Sequence, residues 1–118
     1  MTLREKQSLF TMLVAKLILW AVKNDYYVTF GETYRTEQQA QWNADHGKGI
    51  VKSLHCKRLA VDFNLFVADK YMTGVEDYRP LGEYWESMHE LARWGGRWTT
   101  GTTAGDAGHF SLEHEGVK

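Results

Sequence analysis

The sequence has one cysteine, one proline, almost no excess charge and no long uninterrupted apolar run, and each shortage removes a class of protein. With Cys56 alone, no internal disulfide can form, which suits a chain made in a reducing compartment. Cys56 reads as a quiet free thiol, because no base is marked out beside it. Acidic and basic residues, 15 against 14, are interspersed, so there is neither the footprint of a nucleic-acid binder nor a basic patch for anionic lipid. Arg4 and Lys6 ahead of an apolar stretch imitate a signal peptide, but Glu5 and Lys16 intrude and no small-residue cleavage site follows. The stretch is also too short and too interrupted for stable membrane insertion. The expectation is a monomer made in the cytoplasm without an evident signal peptide. No repeat or low-complexity tract breaks the chain, and 118 residues suit one domain, 1–118, with a modest core.

What is present is strong patterning. Phe10, Leu13, Val14, Leu17, Ile18 and Ala21 recur at helical spacing and predict a core helix over Leu3 to Asn24. Tyr26 to Phe30 reads as a short strand ending at Gly31. A helix follows from Thr36, with Thr36 as N-cap and Gln39 facing it in a capping box, and stops near His46-Gly47-Lys48-Gly49. Leu59, Val61, Phe63, Leu65 and Val67 share one parity and predict a strand burying that face. Thr73-Gly74 signals a turn closing a small hairpin, and Pro80 suits the first turn of a helix from about Leu81 to Trp94. Leu81, Tyr84, Trp85, Met88, Leu91 and Ala92 form the inward stripe of that helix. Thr99 to Gly105 reads as a flexible loop able to rim a cleft, before a short alternating segment at His109 to Glu113. The fold class expected is α+β, with helices on one face of a small, mainly antiparallel sheet and a cleft on the other.

The chemistry gathers around the central strand. Asp62 points away from the buried parity, which fits an ordinary solvated acid as well as a functional one. His55 lies seven residues earlier, in the turn before the strand, and His109 sits on the opposite parity from Phe110 and Leu112. Two imidazoles and a carboxylate make a zinc shell with a fourth position open, which implies catalysis. Asp106, three residues before His109, is placed to be a general base. Ser53 lacks an aspartate-oriented triad and an oxyanion loop, so its expected role is to hydrogen-bond substrate or shape the loop rather than act as nucleophile. Arg35, without further context, reads as a surface arginine paired with Glu32 or Glu37. His46, His89 and His114 are set aside as helix-end, helix-surface and solvated residues.

Ser-x-His-x(6)-Asp, followed much later by Asp-x-x-His, resembles the pattern of the zinc D-alanyl-D-alanine carboxypeptidases and the related L-alanyl-D-glutamate endopeptidases found among phage endolysins. Tyr34-Arg35-Thr36 and Trp94-Gly95-Gly96-Arg97-Trp98 extend the resemblance to roughly residues 28 to 113. It implies one zinc ion on His55, Asp62 and His109, with Asp106 as catalytic base and Arg35 stabilising the substrate carbonyl or carboxylate. A polar residue after the arginine touches substrate in that family, which makes Gln39 the candidate here. The implied partner is the peptidoglycan stem peptide, and the implied place of action is the bacterial cell wall. An L-alanyl-D-glutamate endopeptidase of the phage endolysin type is the first reading and a D-alanyl-D-alanine carboxypeptidase the second. A noncatalytic wall-binding module of the same fold would be expected to lack a ligand or the base, and none is missing. One departure is that members of the family often carry glycine where this chain has Arg58 or Leu59.

Overall fold

The computed structural model describes residues 1–50, 52–99 and 104–118. The expected flexible loop therefore falls largely outside the described residues, at 100–103. Helix α1 spans Leu3–Lys23 and opens with a capping box in which Thr2 Oγ1 accepts from the Glu5 N–H and Glu5 accepts from the Thr2 N–H. Strand β1 is Tyr27–Phe30, helix α2 Glu37–Asp45, and strand β2 Ala60–Val67. Strand β3 is Lys70–Met72, helix α3 Val75–Met88, strand β4 Ala92–Trp94, and strand β5 His109–Leu112.

The sheet is antiparallel throughout, in the order β1-β2-β5-β4, with β3 also paired to β2. Both β1 and β3 pair with Leu65 and Phe66, so they occupy opposite edges of β2, and β3 shares its edge with β5. The predicted parity holds: Leu59, Val61, Phe63 and Leu65 are buried against α1 and α3, while Asp62 faces the other way. Aromatic edges lock this layer, with Trp85 in edge-to-face contact with Phe10 at 5.6 Å and Phe110 at 6.0 Å between ring centres. The Trp85 indole N–H donates to the Ser111 carbonyl, and the Trp94 indole N–H donates to the Ala107 carbonyl, so neither ring buries an unpaired polar group.

Three expectations are corrected. The hairpin turn lies at Ala68-Asp69, both left-handed with φ of 50° and 64°, and not at Thr73-Gly74. A two-residue link with positive φ at both positions matches the twist of paired strands, and the short side chains of Ala68 and Asp69 adopt it without glycine. Gly74 instead precedes α3, where Asp77 Oδ2 accepts its N–H at 3.0 Å. The helix thus begins six residues before Leu81 and carries Pro80 inside rather than in its first turn. It also ends at Met88, because His89 turns extended and its Nδ1 accepts the Leu91 N–H at 3.0 Å. Ala92 and Trp94 then contribute to the core from a strand rather than from the helix.

Gly82 has no room for a side chain: a Cβ there would lie 2.2 Å from the Trp94 ring. Alanine inside a helix ordinarily gains about 1 kcal/mol over glycine. Here overpacking opposes that gain, so Gly82→Ala is expected to destabilise the fold by about 1–3 kcal/mol in denaturant unfolding. A more stable variant would mean that the Trp94 ring can move aside.

Candidate metal centre and cleft

Sheet register does most of the work of assembling the centre. Asp62 on β2 and His109 on β5 are direct cross-strand partners, so their side chains emerge together on the face away from the helices. His55 comes from a 3₁₀ turn, Leu54–Lys57, immediately before β2. Ser53 caps that turn, its Oγ accepting the His55 N–H at 3.2 Å. The turn closes on Arg58 with φ of 56°, the left-handed conformation that glycine adopts most easily, and Arg58 is one of the two positions, with Leu59, where the resemblance leads one to expect glycine. Arg58 holds it while its guanidinium lies 4.1 Å over the Tyr34 ring.

His55 Nδ1 lies 3.0 Å from the Thr33 carbonyl, which can only accept, so Nδ1 carries the hydrogen and Nε2 turns toward Asp62. His55 Nε2 is 3.4 Å and His109 Nδ1 3.5 Å from the same oxygen, Asp62 Oδ1. That oxygen is buried and makes no hydrogen bond. A buried carboxylate oxygen between two nitrogens, too poorly aligned to bond either, is costly unless a cation fills the gap. Ligand atoms about 2.0–2.1 Å from a tetrahedral zinc lie about 3.3 Å from one another. The spacing found is close to that, and one potential ligand atom from each of His55, Asp62 and His109 falls within 4.8 Å of the others. The residues present therefore fit the ion.

Electrostatics divide the two aspartates. Burial works against an ionised Asp62, but the His109 and His55 imidazoles outweigh it and hold the carboxyl well below the usual range. Burial pushes the Asp106 carboxyl up, His109 opposes the shift and the Asp62 charge adds to it. Asp106 Oδ2 stands 3.9 Å from His109 Nδ1. Gly95 makes this approach possible, since a Cβ there would meet the Asp106 carbonyl oxygen at 2.2 Å and His109 Cβ at 2.8 Å.

Arg35 is ion-paired with Glu32, as its sequence context alone suggested, yet it is not a surface residue. Its side chain is only 14% exposed and its Nη1 donates to Ser53 Oγ at 3.2 Å, at the wall of a cleft of about 880 Å³ that also contains His55, Asp62, Asp106 and His109. Gln39 is not brought into this cleft. It is exposed, its backbone N–H is capped by Thr36, and its side chain donates to Asn43 instead of completing a capping box. Cys56 borders a second, smaller depression, and burial raises its thiol pKa, so it stays protonated. His46 stacks on Trp42, and His114 contacts Lys6 Nζ at 3.0 Å, both away from the centre. Thr33 acts through its backbone carbonyl and so leaves no side-chain signal in the sequence. Trp98, whose ring lies 4.6 Å from His109, and the basic rim of Lys48, Lys52 and Arg97 were visible as residues but not as neighbours of the site.

Over residues 46–112 the chain matches the D-alanyl-D-alanine carboxypeptidase family, and it belongs to that family. Its expected character as a zinc metallopeptidase stands with that membership and with the close grouping of His55, Asp62 and His109, which could hold a metal ion. The fold is that of the L-Ala D-Glu endopeptidase ChiX from Serratia marcescens, at 21% identity and a TM-score of 0.63, with 87% of this chain and 79% of that one covered. It is shared also by a mutant of the vancomycin-resistance D,D-pentapeptidase VanY, from a VanB-type cassette, in complex with Zn(II). The match has 20% identity and a TM-score of 0.61, with 87% of this chain and 70% of that one covered. Among curated proteins, none matches the chain by sequence.

Proton competition at His55 is the measurable consequence of this geometry. Burial disfavours its charged form, but Asp62 and the Thr33 carbonyl outweigh that, so its pKa is raised above 6.5. The imidazole must lose its proton to bind zinc, so affinity falls as pH drops through a point above the ordinary histidine value. Chelator competition from pH 8 to 5.5 should show the decline beginning before pH 6.5; affinity constant down to pH 6 would count against this environment for His55.

Proposed function

We propose that the protein is a zinc-dependent peptidoglycan peptidase that cuts the L-alanyl-D-glutamate bond of stem peptides, in the manner of a phage endolysin. The observation that carries the metallopeptidase part is the unpaired Asp62 oxygen set between His55 Nε2 and His109 Nδ1. His55, Asp62 and His109 would hold the ion. When bound, zinc supplies Lewis acidity, polarising a carbonyl and making water a nucleophile at about pH 7. Asp106, with its raised pKa, takes a proton from the attacking water and later delivers it to the leaving amine. Arg35, steadied by Glu32 and Ser53, faces the carbonyl oxygen or a nearby substrate carboxylate. Ser53 thereby gains a positioning role, since its hydroxyl bridges Arg35 to the turn that carries His55.

Lys48 and Lys52 on the cleft rim suit the acidic half of a stem peptide. The specific bond is supported by the likeness in fold to ChiX, and the second reading, a D-alanyl-D-alanine carboxypeptidase, by the family match. Digestion of purified wall fragments separates them: new N-terminal D-glutamate identifies the endopeptidase, and released D-alanine identifies the carboxypeptidase. Asp106→Ala is expected to keep stoichiometric zinc and lose about 10²–10⁴-fold in kcat, the usual contribution of a positioned proton-transfer group. Unchanged turnover would remove Asp106 from this role.

A further inference from the structure

We propose that the open sheet face beside the metal centre, formed by Tyr27, Asn64, Phe66 and Tyr71, is a subsite for the sugar that carries the substrate's peptide. This rests on the endopeptidase reading above. The register places Tyr27 opposite Phe66 and Phe66 opposite Tyr71, a three-strand aromatic row on the same face of the sheet as Asp62. Tyr27 and Tyr71 are each 53% exposed, Phe66 is half-buried, and the Phe66 and Tyr71 rings sit 5.4 Å apart. The helices that pack on the sheet, α1 and α3, lie against its other face. Between the row and the metal centre, Asn64 donates to the Thr29 hydroxyl at 3.3 Å, leaving an amide and a hydroxyl at the surface. Flat apolar rings with a neighbouring amide and hydroxyl are the chemistry that holds a pyranose, which offers C–H groups on its faces and hydroxyls at its rim.

Reach and charge both select this occupant. Along β2, Asn64 is two residues and Phe66 four residues from Asp62, about 7 Å and 14 Å at the rise of a strand. In peptidoglycan the alanine nitrogen is acylated by the lactyl group of N-acetylmuramic acid. Alanine and lactyl together span about 7 Å when extended, so a sugar attached to a peptide cut after its alanine would begin over Asn64 and extend toward Phe66. The shelf residues named are uncharged, like that sugar, whereas Lys48 and Lys52 line the cleft and suit the acidic glutamyl side. A peptide cut at its terminal D-alanine would hold the sugar several residue lengths farther away, beyond the row.

The test compares kcat/KM for an N-acetylated L-alanyl-D-glutamyl peptide with that for the same peptide on an N-acetylglucosaminyl-N-acetylmuramic acid disaccharide. The wild-type protein is expected to favour the disaccharide form by about tenfold, the gain from burying one apolar sugar face on a ring. Phe66→Ala and Tyr71→Ala should bring that ratio toward one while leaving the sugar-free peptide rate in place. Asn64→Ala, at a half-buried surface position, should lower it if an aromatic variant fails to fold. Equal rates for the two substrates in the wild type, or variants that slow both alike, would overturn the subsite. So would sedimentation showing that these variants dissociate a dimer, since the face would then belong to a second copy. Absence of cleavage at L-alanyl-D-glutamate in both substrates would instead fail the endopeptidase reading itself, and the subsite with it.

Discussion

The structure depends on a buried carboxylate oxygen that the protein does not satisfy. Asp62 Oδ1 lies within 3.4–3.5 Å of two imidazole nitrogens and bonds to neither, an arrangement that a fold without a cation would be expected to relax. It persists because each neighbour is fixed from behind. The Thr33 carbonyl sets the His55 ring, the strand register sets His109 against Asp62, and Asp62 is anchored through its backbone to Glu32 and Gly31. The centre is thus held by main-chain hydrogen bonds of the sheet more than by side-chain contacts, which suits a site that must keep its shape before the ion arrives.

That dependence explains which parts were legible in the sequence. The parity of Leu59, Val61, Phe63 and Leu65 and the stripe from Phe10 to Ala21 follow from periods of 2 and 3.6, which composition displays directly. The bounds of α3 differ from the sequence expectation because Pro80 reads as a boundary in the sequence, whereas Asp77 and Gly74 set the start and His89 the end. Trp94 looked like the last turn of a helix, yet its neighbours on β5 pull it into a strand, a non-local preference invisible in a single segment. At the centre, the spacing of His55, Asp62 and His109 was readable through a family resemblance. The cross-strand pairing that joins Asp62 to His109 was not, because register is a property of two segments. Gln39 illustrates the reverse: a polar residue following Arg35 in sequence points away once α2 turns its side chain toward Asn43.

Two carboxylates close to the same histidine are driven in opposite directions, and this gives each a distinct chemical use. Asp62 is flanked by both imidazoles and stays ionised far into acid, as its proposed role as a metal ligand would require. The Asp106 carboxylate lies beyond hydrogen-bond distance from the His109 ring, with burial and the Asp62 charge raising its proton affinity. A base whose proton affinity has moved toward neutrality both accepts and returns a proton more readily than one with an ordinary carboxyl pKa. Exchanging their surroundings would impair both proposed tasks, so the close approach of Gly95 to Asp106 and His109, too tight for a Cβ, bears on the proposed chemistry.

The same sheet also gives the cleft a direction. Beside the metal centre, the cleft wall carries Lys48 and Lys52, with Arg35 and Arg97 paired to Glu32 and Glu86, while the strands leading along the sheet present Thr29, Asn64, Tyr27 and Phe66. A stem peptide is asymmetric in the corresponding sense, with carboxylates on one side of the alanyl bond and a neutral sugar on the other. Reversing the substrate would set the sugar among cations and the carboxylates over aromatic rings, losing favourable contacts at both ends. For the substrate proposed, that polarity would supply an orientation that the proposed ligands and base do not by themselves specify.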